Sequence, residues 1–413
     1  TMDLVPTAQG DITVSIPVNA AYDLAGNGNS NSSTITVKYD NIAPTVEITS
    51  TTSMDTNIYE IPVKIMFSED VTGFALEDIV MSNATPKADS FEVVSAREYN
   101  VIADAQTSGQ LVTVDVAAGV AFDSAGNGNT EATQFTRRYD RIRPFSVVTS
   151  PDTVYITDES PIPIVITFYQ STTANETESV TGFDLADIIV INGTAGNLTG
   201  SGHIYYADIT PDGEGIVDIS IIDSAAQDAA GNPSRNHSSY PSLTRVYDVN
   251  PPSVNISSSV STTNTSPIPV TFTFSEAVTG FTVDDISVSN GSLSNFIPVN
   301  GYTYTVDLTP SGQGQITVDV AADVAIDAAG NFNTAAAQLE VVYDTESPSV
   351  NISSSGSATN ISPIPVTFTF SEAVIGFTSS DIAVTNGTLS NLNTVNNIVF
   401  TADITPSAQG NVR

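Results

Sequence analysis

The 413-residue sequence has no cysteine, no tryptophan and two histidines, and its 11 Lys and Arg residues face 46 Asp and Glu. Each shortage removes a class of function. Without thiols there is no cysteine nucleophile, zinc–thiolate centre or disulfide staple, so stability has to come from packing or from hard metal ions. His203 and His237 are the whole supply of imidazole, and neither has a matched Ser, Cys or His partner for a triad. A net charge of −35 leaves no basic stripe for nucleic acid or an anionic membrane surface, and makes cations the natural counterpart. No apolar run reaches the roughly 18 residues of a membrane span. Thr1 opens inside a strand-like segment without a signal-peptide pattern, so the chain reads as a fragment of something longer.

What the sequence does contain is one repeat, end to end. Asp-x-Ala-Gly-Asn occurs at Asp23–Asn27, Asp123–Asn127, Asp228–Asn232 and Asp327–Asn331, at spacings of 100, 105 and 99 residues. Each marker is followed by Tyr-Asp, ending at Asp40, Asp140, Asp248 and Asp344, and then by Pro44, Pro144, Pro252 and Pro348. An Ile-Pro run, a Phe-Ser-Glu phrase, a Gly-Phe pair and an Asp-Ile pair recur in fixed order within each unit, with Gln170 where the Phe-Ser-Glu acid is expected in one of them. A period near 100 residues means whole domains in tandem. The predicted pieces are 1–43, the C-terminal part of a domain (strands E–G); 44–143; 144–250, with an enlarged B–C loop; 251–346; and 347–413, the N-terminal part of a domain (strands A–E).

The unit 251–346 shows what each domain is. Val270, Phe272 and Phe274 alternate with threonines, Tyr304, Val306 and Leu308 repeat the pattern, and so do Ile316, Val318 and Val320. Turn signals such as Asn290-Gly291 and Ala329-Gly330-Asn331 separate the runs, and no segment keeps a 3.6-residue period. About seven short strands in about 100 residues predict an all-β chain of tandem immunoglobulin-like β-sandwiches arranged as an extended rod. The phrases at 274–291 and 327–331 are more specific: they resemble the bacterial Ig-like domains strung together in large surface adhesins and biofilm proteins. That resemblance covers the full chain and implies a non-enzymatic spacer or adhesive role at the cell surface or outside the cell.

An antiparallel sandwich assigns every loop to one of two poles. The linker Asp248, the B–C loop Glu276, Asp285 at the start of strand C and Asp327 in the F–G loop all fall at the N-terminal pole, where one domain meets the next. The same count gives Asp40, Glu69, Asp78 and Asp123 one unit earlier, and part of the set (Asp344, Glu372, Asp381) in the last unit, with Asp23 in the first. Clustered carboxylates repel. Ca²⁺ relieves this by accepting six to eight oxygens at about 2.3–2.6 Å, and Asn331 or loop carbonyls could add neutral ligands. The competing expectation is local: Asp in Asp-x-Ala-Gly-Asn caps turn amides, the Asp-Ile acid caps a helical turn, and the Tyr-Asp acid is solvated.

One junction departs from the pattern. At Asp140 the Glu position is Gln170, the B–C loop is extended through 171–179, and Arg137, Arg138, Arg141 and Arg143 crowd the linker. Arginine pairs with clustered carboxylates, so a weak calcium site or none is expected between Asp140 and Asp228, with Glu176 and Glu178 as alternative ligands. No Lys or Arg lies between Arg245 and Arg413, an imbalance suited to salt-rich extracellular surroundings. Sequons at Asn255, Asn290, Asn351 and Asn386 fit a chain rich in Asn, Ser and Thr as well as they fit glycosylation. The partners expected are neighbouring repeats of the same chain, other copies in a filament, and a surface receptor or glycan engaged by other parts of the protein. The complementary ends, 1–43 and 347–413, fit either a window on a longer array or half-domains completed between successive chains of a filament.

Overall fold

A computed structural model describes residues 1–170, 176–236 and 242–413. His237 and part of the extended B–C loop, 171–175, lie outside the described residues. The chain divides into two compact units, Thr1–Val249 and Asn250–Arg413.

The first unit opens with an antiparallel hairpin, Gly10–Val14 against Ile35–Tyr39. Its first full sandwich has one sheet in the order Val46–Thr49, Glu60–Phe67, Glu98–Ala105, Ala84–Pro86, which are strands A, B, E and D. The facing sheet runs Asp55–Thr56, Phe135–Tyr139, Gln110–Val116, Ile79–Ser82, which supplies A′, G, F and C. Alternation fixes the register. Ile61, Val63, Ile65 and Phe67 are buried from one sheet, and Val112, Val114 and Val116 from the other. A slip of one residue would turn every one of these side chains to solvent. The second sandwich repeats the plan with Ile162–Tyr169 as B and Gly215–Ile221 as F. Its A strand, Phe145–Thr149, gains a parallel neighbour, Arg235–Asn236.

The second unit contains a full sandwich built on Val254–Ser258, Ile268–Phe274, Thr303–Pro310 and Gly291–Pro298 over Thr262–Thr263, Leu339–Tyr343, Gly314–Val320 and Ile286–Val288. A single four-stranded sheet, Val350–Ser354, Ile364–Phe370, Val399–Pro406 and Gly387–Thr394, follows it.

Two devices recur. Phe67, Phe74 and Tyr99 meet edge to face with centroids 4.8–5.9 Å apart, as do Phe274, Phe281 and Tyr304 at 5.0–5.9 Å. These contacts suit the ring quadrupoles and lock strands B and E to the Gly-Phe turn. The second device is a kink in strand D. In the last three repeats Asn197, Asn295 and Asn391 take positive φ beside a register shift, and donate to Asp208, Asp307 and Asp403 of strand E at 2.7–2.9 Å.

Candidate metal centre

The marker loop is a carboxylate-centred turn. Gly126 has φ +93°, a conformation that L side chains rarely adopt, and this lets the chain curl around Asp123. Asp123 Oδ1 accepts the N–H of Ala125 at 2.9 Å and of Asn127 at 2.8 Å, while Oδ2 accepts Asn127 Nδ2 at 2.8 Å. The Asn127 side chain, with burial opposing it and the turn amides assisting, holds the Asp123 carboxyl below the usual carboxylate range. The same Asn127 Nδ2 donates to the Asp40 carbonyl at 3.1 Å, tying marker to linker.

Asp40 ends the strand Ile35–Tyr39, and its Oδ1 accepts the Ile42 N–H at 3.2 Å, the largest influence lowering its pKa. Lys38 Nζ lies 3.3 Å from Oδ2. Glu69 follows strand B, where Ser68 and Thr45 exchange hydrogen bonds that pin the B–C loop to the start of strand A. One carboxylate oxygen from each of Asp40, Glu69 and Asp123 lies within 4.8 Å of the others, with Asp123 5% exposed. Three acids separated by up to 83 positions thus meet at one pole.

Asp78 does not join them. Its Oδ2 accepts the Ala75 N–H at 2.8 Å, closing the 3-10 turn Leu76–Asp78. Asp285 and Asp381 do the same for Thr282 and Thr378 through N–H and hydroxyl. These acids are turn caps: their donors lie three residues away. Asn331 Nδ2 donates to Asp327 Oδ2 at 3.0 Å, as Asn127 does to Asp123.

In the second unit Asp327, 6% exposed, sits in a turn like that of Asp123, accepting three backbone N–H groups on Oδ1. Glu276 there is half-buried just past strand B, and Asp248, at the end of the first unit, is half-buried as well, its N–H bonded to Thr157 O. Asp23 forms the marker turn of the N-terminal piece through Ala25 and Asn27. Asp344 accepts from Glu346 N–H and Gln313 Nε2, and Glu372 is half-buried. Their marker partner does not occur within the 413 residues. Asn290 and Asn386, both in sequons, donate Nδ2 to turn carbonyls.

At Asp140 the expected arginine pairing is replaced by an amide: Gln170 Nε2 donates to Asp140 Oδ2 at 3.2 Å. Arg143 and Arg137 instead donate to backbone carbonyls. Burial, followed by the charges of Asp228 and Asp140, pushes the Glu178 carboxyl above its ordinary range, with Arg138 opposing. The folded state therefore holds this proton more tightly than the unfolded chain. Stability contributed here rises as pH falls from neutral through the folded value and levels off near the ordinary 4.5. Melting curves across that window show the rise in the native chain and a flatter profile in Glu178→Gln.

The position missed in the sequence is Asn129, two residues past the marker and 3% exposed, which bonds four backbone groups. The signal was present as Asn29, Asn129 and Asn333.

A model of the bacterial Ig-like domain matches residues 40–139, 141–244, 248–343 and 344–412. The chain belongs to the bacterial Ig-like domain family. Each match of this bacterial Ig-like chain begins at or next to a Tyr-Asp linker. No curated protein matches the sequence. Similar solved structures include invasin, a bacterial integrin-binding protein, at 14% identity over 90% of this chain and 75% of that one, TM-score 0.38. Yersinia pseudotuberculosis InvD is 11% identical over 74% of this chain and 98% of its own, TM-score 0.34. A tetra-tandem repeat from the extending region of a large adhesion protein is 15% identical over 88% of each chain, TM-score 0.27.

Proposed function

We propose that the chain is a non-enzymatic structural rod of a cell-surface or secreted adhesin, whose bacterial Ig-like repeats are stiffened by Ca²⁺ at their junctions. The observation that carries the ion is the meeting of Asp40, Glu69 and Asp123 within 4.8 Å. The donor set fits. It is all oxygen, which suits a hard cation, and it comes from a linker and two loops, which suits the loose coordination of Ca²⁺ better than the tight octahedron of Mg²⁺. Asp40 and Asp123 would bind as carboxylates already held ionised by local N–H donors, and Glu69 would bring the B–C loop to them. An ion held this way replaces repulsion between linker and loops by attraction, so a hinge becomes a strut.

The same three acids recur in the sequence as Asp248, Glu276 and Asp327. Repetition of the acids at successive junctions favours structure over chemistry, because a catalytic pair has no need of a copy in each domain. Small-angle scattering tests the proposal: chelation should broaden the distance distribution and change the maximum dimension, and an unchanged profile would refute the stiffening.

A further inference from the structure

The junction at Asp140 repeats the bond from marker asparagine to linker carbonyl seen at Asp40 but changes the chemistry around it. Asp140 and Asp228 are 4% and 5% exposed, and Gln170 occupies the position of Glu69, so the further carboxyl that the two acids act on, Glu178, comes from the extended B–C loop and has its pKa raised by burial and by them. Asp140 is satisfied without a cation. Its Oδ2 accepts from Gln170 Nε2 at 3.2 Å, and its Oδ1 accepts from the Ile142 N–H at 2.8 Å and the Ser108 hydroxyl at 3.4 Å. Ser108 belongs to the preceding sandwich and Gln170 to the following one, so a single carboxylate is held from both sides. Asn232 Nδ2 links the Asp140 carbonyl at 3.0 Å to Asp228 Oδ2 at 2.8 Å.

A second feature occurs only here. Arg143 stands where the other linkers carry Ala43, Pro251 and Ser347. Its Nε and Nη2 donate to the carbonyls of Pro233 and Ser234 at 2.8 and 2.7 Å, clamping the linker onto the F–G loop. A guanidinium presents this fork in fixed geometry and never loses its charge. Amide and guanidinium donors therefore do together part of what a divalent ion would do elsewhere: the amides satisfy the buried carboxylates, and the guanidinium bridges the linker to the F–G loop.

We infer that the array contains two kinds of junction. The Asp40 type closes around a cation, and the Asp140 type is a cation-independent latch made by Gln170, Asn232 and Arg143. When calcium falls, the chain softens at the Asp40 type and stays joined at Asp140. The inference rests on the calcium reading of the Asp40 site, and its test separates the two.

Calcium is titrated calorimetrically into the full chain, into Glu69→Gln and into Gln170→Glu. Glu69→Gln is expected to bind one ion fewer and Gln170→Glu one more, since the latter restores the three-acid set. In parallel, spin labels on the cysteine-free chain report distances across each junction, through Leu111→Cys with Thr210→Cys for Asp140 and Thr36→Cys with Thr85→Cys for Asp40. The Asp140 distribution should keep its width in chelator, and the Asp40 distribution should broaden. The label measurement uses native Gln170, so it stands even where Gln170→Glu fails to fold. Broadening at Asp140 on chelation overturns the inference, as does a folded Gln170→Glu chain that binds no more calcium than the parent. A parent chain that binds no calcium overturns the calcium reading itself.

Discussion

Replacing Asn129 by alanine is expected to lower the melting temperature of the 44–143 sandwich by about 12–24 °C, the equivalent of about 3 kcal/mol in a domain of this size. Asn129 Oδ1 accepts the N–H groups of Val120 and Ala121 at 2.9 Å, and Nδ2 donates to the carbonyls of Ala117 and Thr130 at 2.8 Å. One side chain thus satisfies four backbone groups of the F–G connection. Alanine strands them in a site that is 3% exposed in the native chain, and each buried orphan costs about 1–3 kcal/mol, less what an entering water recovers. Asn333 repeats the arrangement on Val324, Ala325, Ala321 and Thr334, so Asn333→Ala should cost a similar amount in its own sandwich. Differential scanning calorimetry of the full chain resolves the shift. A change below about 1 kcal/mol would mean that the four bonds are replaceable.

Calcium is expected to produce the second large effect. A ligand at a hundred times its Kd stabilises the folded state by about 2.7 kcal/mol per site. Titration should raise the melting temperature of the native chain, and Asp123→Asn should remove the part of that rise owed to the Asp40 junction. Asparagine keeps the oxygen that accepts the Ala125 and Asn127 backbone amides but gives up the charge and the oxygen that accepts Asn127 Nδ2, so the turn keeps its backbone bonds at the cost of one side-chain bond and the ion loses its carboxylate. The stabilisation should also be acid-labile in a defined direction. Local N–H donors hold Asp40 and Asp123 below the ordinary 3.8, so their contribution is present above that pH and is lost as pH falls through the lower folded values. Equal calcium shifts in the native and Asp123→Asn chains would detach Asp123 from any ion.

The repeat, the sandwich and the strands carrying Phe67, Phe274 and Val318 were legible in the sequence because period-2 burial and turn residues are local signals. The meeting of Asp40, Glu69 and Asp123 was legible for a different reason: antiparallel topology assigns loops to poles. That argument places a residue at an end of the sandwich but does not say which way its side chain turns. Asp78 and Asp285 lie at the correct pole and still serve donors three residues away, because a short local hydrogen bond forecloses a longer reach. At Asp140 charge pattern alone favoured arginine, whereas Gln170, at the position of Glu69, supplies the side-chain amide that meets Oδ2. Asn129 went unread because its partners are backbone groups, which leave no trace in side-chain composition.

The kink that Asn197, Asn295 and Asn391 put into strand D bears on how such a chain is made. Consecutive repeats share near-identical phrases on one polypeptide, so each nascent domain folds beside another at a high effective concentration of matching strands. The hazard in that setting is exchange of strands between neighbours, with a repeat completing the wrong partner. A flat outer edge would template that error, and a bulged one does not accept a straight strand in register. The Asn–Asp pair that maintains the bulge joins residues of the same hairpin, 11 or 12 positions apart, so it can form before the next repeat has left the ribosome. Fidelity in building the array is thereby written into the three copies that carry the pair, ahead of any ion that later stiffens it.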